Sequence, residues 1–195
     1  MRPSVELSQF YGVRATAWQQ AGLTLSESSY PANLKMPSHA HEPAYFGIVL
    51  NGGYSERVAT NTRECKPLTT VYHPRGESHS VFFHNSPVRI FRIEITGEWR
   101  ERVGPYLAFP EERAESDGGP LASLALRLHN EFRSRDPWSR LAIEGLALEM
   151  MAELRYDAIR LSRGLPSGLI SSKIAFEFQD IARRLFYSSL ACVCG

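Results

Sequence analysis

The sequence offers little material for disulfides. Its three cysteines, Cys65, Cys192 and Cys194, are an odd set with one member far from the others, and that is no framework of bridges. The single residue inside Cys192-Val193-Cys194 also fits none of the usual zinc-finger spacings. Long apolar runs are missing: no stretch approaches the roughly 18 residues that cross a bilayer. Met1 to Phe10 is polar and lacks the apolar core of a signal peptide, so the expected location is the cytoplasm. Charge of one sign is missing as well. A formal net charge of +1 gives the whole molecule no pull toward nucleic acid or anionic membrane. Gly52-Gly53 and Gly118-Gly119 lack the spacing of a phosphate-binding loop. Ser78 beside His79 is a neighbour pair in sequence, not a nucleophile with its base.

The composition that remains is globular: 43% hydrophobic and 22% charged in 195 residues. That length holds one domain with an appendage, or one domain and part of a second. Residues 10 to 96 read as strands and turns. Leu23, Leu25 and Ser26 to Ser29 form one candidate strand, and Ala44 to Leu50 is a run of β-formers. The latter ends at Asn51-Gly52-Gly53, a hairpin turn where positive φ is cheap, and Tyr54 to Val58 returns from it. Thr69 to His73, Ser78 to Phe83 and Val88 to Ile95 supply three more strands. In the last, Phe91, Ile93 and Ile95 share one face by period two and should point into a core, with Ile90, Arg92 and Glu94 on the other. Many short strands at this spacing predict a sandwich or barrel.

The pattern then turns helical. Glu98 to Val103 is a short helix stopped by Gly104-Pro105. Pro110 to Pro120 reads as a polar connection. Leu121 to Ser134 carries an apolar stripe of Leu121, Leu124, Ala125, Leu128 and Phe132. Asp136-Pro137 starts a helix running to about Ser162, with the carboxylate as N-cap. Its main stripe is Ile143, Leu146, Ala147, Met150, Leu154, Ala158 and Leu161; a second is Trp138, Leu141, Leu148 and Met151. So wide an apolar face calls either for a partner subunit, with Ile143, Leu146, Met150 and Leu154 at the dimer contact, or for a helix sunk in one core. Gly164, Pro166 and Gly168 mark a linker. Beyond it lies an amphipathic piece, Ile174, Phe178, Ile181, Ala182 and Leu185, in a mildly basic tail.

Two clusters carry candidate chemistry. His39 and His41 stand two apart on an extended segment, so both imidazoles face one side. Pro74-Arg75-Gly76 is a turn feeding a strand that begins with Ser78 and His79. His73 reads as structural; His84 and His129 read as surface or packing residues.

These two clusters resemble the paired motifs of the cupin superfamily. The resemblance implies a cupin-like barrel, a double-stranded β-helix or jelly roll, with the histidines around a central cavity. Metal-binding cupins add a glutamate four or five residues after the second histidine, and here Tyr45 and Phe46 stand at those positions. Three histidines can still hold a divalent metal at His39, His41 and His79. The expectation is nevertheless no cofactor, with these side chains lining a ligand cavity, because an anionic ligand is lost.

A longer resemblance runs from about Leu23 to Leu161, through Pro37-Ser38-His39-Ala40-His41-Glu42, Ile48 to Glu56, Val71 to His79, Phe91 to Ile95, and Trp99. It is similar to the N-terminal sensor domain of AraC-family transcription regulators. That resemblance implies a mainly β fold with C-terminal α structure: a cupin-like barrel at 1–110, an antiparallel helix pair for dimerisation at 111–163, and a linker with the start of a truncated DNA-binding domain at 164–195. A small-molecule effector would bind near His39, His41, Tyr45 and His79, the chain would form a homodimer in the cytoplasm, and no membrane would be involved. DNA would be contacted only through a domain the sequence does not complete, since Asp180 to Arg184 and Ser188 to Leu190 are too short for a helix-turn-helix unit. No enzyme activity is expected. The alternative is a free-standing cupin metalloprotein or enzyme using His39, His41 and His79.

Overall fold

A computed structural model describes residues 13–163, and side chains from 16 to 156. The linker, the basic tail, Cys192 and Cys194 lie outside it, as do the side chains of Ala158 and Leu161. Ten strands and three helices follow in chain order: β1 Val13–Gln20, β2 Leu23–Tyr30, β3 Lys35–Ala40, β4 Ala44–Asn51, β5 Tyr54–Val58, β6 Asn61–Cys65, β7 Thr69–His73, β8 Ser78–Phe83, β9 Val88–Ile95, α1 Gly97–Val103, β10 Ala114–Asp117, α2 Gly119–Ser134 and α3 Ser139–Arg163. The fold is mainly antiparallel β with C-terminal helices. One sheet orders its strands β1-β2-β9-β4-β7-β10 and the other β3-β8-β5-β6. Among the described residues, no helix is long and apolar enough to cross a membrane.

Two cores result, one on each face of the six-stranded sheet. Inside the sandwich, Tyr30, Val49, Val71 and Val88 of that sheet meet Tyr54, Cys65, Val81 and Phe83 of the smaller one. On the outer face, Leu25, Phe46, Ile48, Tyr72, Phe91, Ile93 and Ile95 share a core with Trp99, Leu128, Phe132, Ile143 and Met150 from the helices. The period-two reading of β9 is therefore right about burial, and the structure adds which core each face serves. Phe91, Ile93 and Ile95 pack under the helices, while Ile90 and Arg92 look into the sandwich.

Several elements have local causes. Asp136 Oδ1 accepts from the backbone N–H of Trp138 at 2.8 Å and of Ser139 at 2.9 Å, so it caps α3 as its sequence suggests. Arg135 ends α2 in the left-handed region, at φ 52°. The segment 110–120, expected to be only a connection, contains β10, which pairs antiparallel with β7 from Ala114 opposite Tyr72 to Asp117 opposite Thr69. An alanine and three polar residues form this strand because side chains fasten it: Thr69 donates to Asp117 at 2.7 Å, and Lys66 pairs with Asp117 at 2.9 Å.

The turn after β4 is closed by Gly52. Its φ is +77°, and a Cβ there would meet the Pro87 carbonyl oxygen at 2.5 Å. Backbone strain and a backbone clash together predict that Gly52→Ala destabilises the protein by about 2–4 kcal/mol in urea unfolding. An unchanged midpoint would show that this loop moves freely.

Ile143, Leu146, Met150 and Leu154 are 0%, 6%, 0% and 4% exposed and belong to the chain's own outer core. In this fold these four residues are covered within the chain, in the core that α3 shares with α2 and the outer face of the sheet. Among the described residues, the exposed large apolar side chains of this helical segment are Trp138 at 77% and Leu141 at 63%.

Candidate functional site

The interior end of the sandwich gathers the histidines. In β3, Pro37 and Ser38 sit where the pairing with β8 slips, between Met36 and His39. An edge strand tolerates both the proline and the slip, and the slip re-aims the residues that follow. His39 then lies directly opposite His79, with ring centroids 4.4 Å apart. His41 stands 5.1 Å from the His39 ring and 5.4 Å from the His79 ring. The two sequence motifs are physically joined, because the Gly76 N–H donates to the His41 carbonyl at 2.8 Å. Gly76 takes φ +69°, which suits glycine at that turn.

Hydrogen bonds set the ring orientations. His39 Nδ1 lies 2.8 Å from the Pro37 carbonyl, which can only accept, so Nδ1 carries the proton and Nε2 presents a lone pair. That Nε2 is buried without a hydrogen-bond partner, and so is Nε2 of His41. Burial holds all three imidazoles neutral. It pushes His41 down to about 2 and His79 to about 3, with Arg92 adding to the former, and it lowers His39 too. Neutral imidazoles are ligands without a protonation cost at neutral pH.

Tyr45 occupies the place where the motif would carry glutamate. Its ring stacks on His73 at 4.6 Å, its hydroxyl lies 3.4 Å from His79 Nε2, and burial raises its pKa far above the ordinary value. A buried carboxylate nevertheless stands beside His79, from outside the motif positions. Glu56, 2% exposed, enters from β5 and lies with His73 and His79 in a second group whose ligand atoms all fall within 4.8 Å of one another. Its Oε1 accepts from His73 Nε2 at 3.2 Å and is 3.9 Å from His79 Nε2. Its Oε2 accepts from Arg63 Nε at 2.9 Å and from Arg113 at 3.4 Å. Burial alone would raise its pKa; the His73 hydrogen bond and the His73 and Arg63 charges outweigh it and hold the group well below the carboxylate range. His73 donates from its other nitrogen to Glu77 at 2.6 Å, so it belongs to the site's polar frame as well as to the fold.

Arg92 is the other residue that sequence reading passed over. It lines the cavity from β9, over the Tyr45 ring at 4.6 Å. The signal for both was period two. Glu56 follows Tyr54 by two residues, and Arg92 shares a face with Ile90, so once one face is known to be interior both are placed. The cavity lined by Tyr30, His39, Tyr45, Glu56, His79 and Arg92 has a volume of about 30 Å³. His84, bonded to Ser55 at 2.9 Å, lies apart from it. His129 is a packing residue of the outer core, bonded to Glu27 at 2.8 Å.

No protein-family model matches the chain, and no curated protein does. Among solved structures it is similar to the Cnp3 cupin domain of Schizosaccharomyces pombe, at 18% identity and a TM-score of 0.40 over 48% of this chain and 69% of that one. A cupin superfamily protein of Desulfitobacterium hafniense is similar at 11% identity and 0.40, over 47% and 84%. A variant of oxalate decarboxylase from Bacillus subtilis is similar at 14% identity and 0.37, over 41% and 22%.

Proposed function

We propose that this chain is the ligand-sensing and dimerisation part of an AraC-type transcription regulator, and that its effector site is the sandwich interior at His39, His41, Tyr45 and His79. One observation carries the reading: two buried, partnerless imidazole nitrogens, of His39 and its neighbour His41, where His39 and His79 line a cavity of about 30 Å³. That volume suits an ion with a water or two; sites for drug-sized molecules run to roughly 300 Å³ and more. The effector class this favours is a divalent transition cation, for which neutral imidazoles are suitable ligands. The donor set fits such an ion, which would supply the one strong charge the site can bind. His39, His41 and His79 would hold it, and Tyr45 would close the cavity behind them.

In this proposal the helices carry the output. They share the outer core with the same sheet whose inner face lines the site, so both faces respond to one set of strands. Self-association would use the exposed start of the α3 segment, Trp138 and Leu141, with Ile143, Leu146, Met150 and Leu154 setting the helix in place behind them. DNA contact would belong to a separate helix-turn-helix domain. The second reading, a free-standing cupin metalloprotein or enzyme, rests on the same orphaned nitrogens.

Sedimentation velocity at micromolar concentration, with and without one equivalent of zinc, separates the two readings. The sensor reading expects a homodimer whose association changes with zinc. A monomer in both conditions would overturn it and leave the metalloprotein.

A further inference from the structure

We infer that Glu56 is the anionic ligand of the interior cation site, and that it is shared between the cation and a pair of arginines that fasten the strand leading into α2. The inference rests on the cation reading above, and concerns a residue outside the motif whose own carboxylate position is filled by Tyr45.

Glu56 is 2% exposed, and a carboxylate is not left at such depth without several partners. Its two oxygens face opposite ways. Oε1 looks toward His73 and His79, at 3.2 Å and 3.9 Å. Oε2 looks toward Arg63 on β6 and Arg113 just before β10. The same two arginines also pair with Glu115, which stands within β10 and is 54% exposed. Glu56 is thus a hinge point of charge: inward lie His73, which donates to it, and His79, whose imidazole can ligate a cation; outward lie two guanidinium groups for which Glu115 is the alternative anion among the described residues. A cation held by His79 would draw Oε1 inward and weaken the hold of Glu56 on Arg113 and Arg63. Both arginines would then rely on Glu115. Asp117 ends β10, and α2 begins at Gly119, so the change reaches the helical segment through one short strand.

Competition of this kind has a sign that structural damage does not share. Removing the carboxylate should weaken the cation; removing the competing arginine should strengthen it, because coupling between two sites is reciprocal. Zinc affinity by calorimetry, and the visible absorption of bound cobalt(II), should be measured on the full chain, on Glu56→Gln and on Arg113→Gln. Glu56→Gln should lose about a hundredfold in zinc affinity and change the cobalt bands, as expected on losing an anionic ligand. Arg113→Gln should gain about threefold to tenfold while its cobalt spectrum stays that of the parent. If the parent binds zinc and Glu56→Gln matches it in affinity and spectrum, the inference is overturned and the three-histidine site stands. If Arg113→Gln binds zinc more weakly than the parent, the competition is overturned. If the parent binds no metal, the cation reading itself falls, and this inference with it.

Discussion

Replacing Glu56 by leucine should destabilise the protein by about 3–5 kcal/mol, among the largest single-residue effects this fold can show. The leucine is apolar and close in size, so little packing is lost. What is lost is the fully buried anion that Arg63, Arg113 and His73 share. Arg63 is 11% exposed and Arg113 17%, so water cannot take over, and Glu115 at 54% exposure is a weak substitute. Leaving buried charges without their counter-ion is what makes breaking such a cluster costly, even though the intact cluster contributes little net stability. Urea unfolding measures the change. A loss below about 1 kcal/mol would mean that the arginines reach solvent easily and that the cluster is a surface feature.

Acid should unfold the protein without metal earlier than an ordinary domain of its size. His41 and His79 are held at about 2 and about 3 in the fold, against 6.5 in an open chain. Between those values the unfolded state binds protons that the folded state refuses, so stability is intact above about pH 6.5 and falls as pH drops through that window. Each such histidine costs at most about 1.4 kcal/mol per pH unit, so the pair costs on the order of 3 kcal/mol by about pH 5. Below 4.5, Glu56 and Glu27 add to the loss, because their folded pKa values are depressed and their stabilisation disappears on protonation. Thermal melts from about pH 7.5 to pH 4.5 test this, and His41→Gln should flatten the profile. A melting point that holds steady down to about pH 5 would show the imidazoles to be open to solvent.

How much of this was visible in the sequence varies by element. The strands β2, β4, β5, β7, β8 and β9 announced themselves through β-branched and aromatic residues between turn signals, and α2 and α3 through helical periodicity. β10 did not, because Ala-Glu-Ser-Asp has no strand preference; it exists because Tyr72 to Thr69 offer it a sheet edge and because Glu115 and Asp117 find cations there. β3 was concealed by Pro37, which an edge strand accommodates. The six-stranded sheet is buried on both faces, so alternation could show that Phe91 and Ile93 were core without showing which core. The histidines converge as their spacing implied, since a two-residue step on one strand and the strand opposite it is local geometry. Glu56 was illegible as a ligand because its neighbours in space, His79 and Arg113, lie 23 and 57 residues further along the chain.

On the proposed reading, the sandwich interior receives a divalent cation on His39, His41 and His79. The most direct test is a crystal grown with zinc and measured across the zinc absorption edge. One anomalous peak is expected inside the sandwich, about 2.0–2.1 Å from a ring nitrogen of each of His39, His41 and His79. An interior without a peak, under conditions where surface histidines such as His84 carry one, would contradict it.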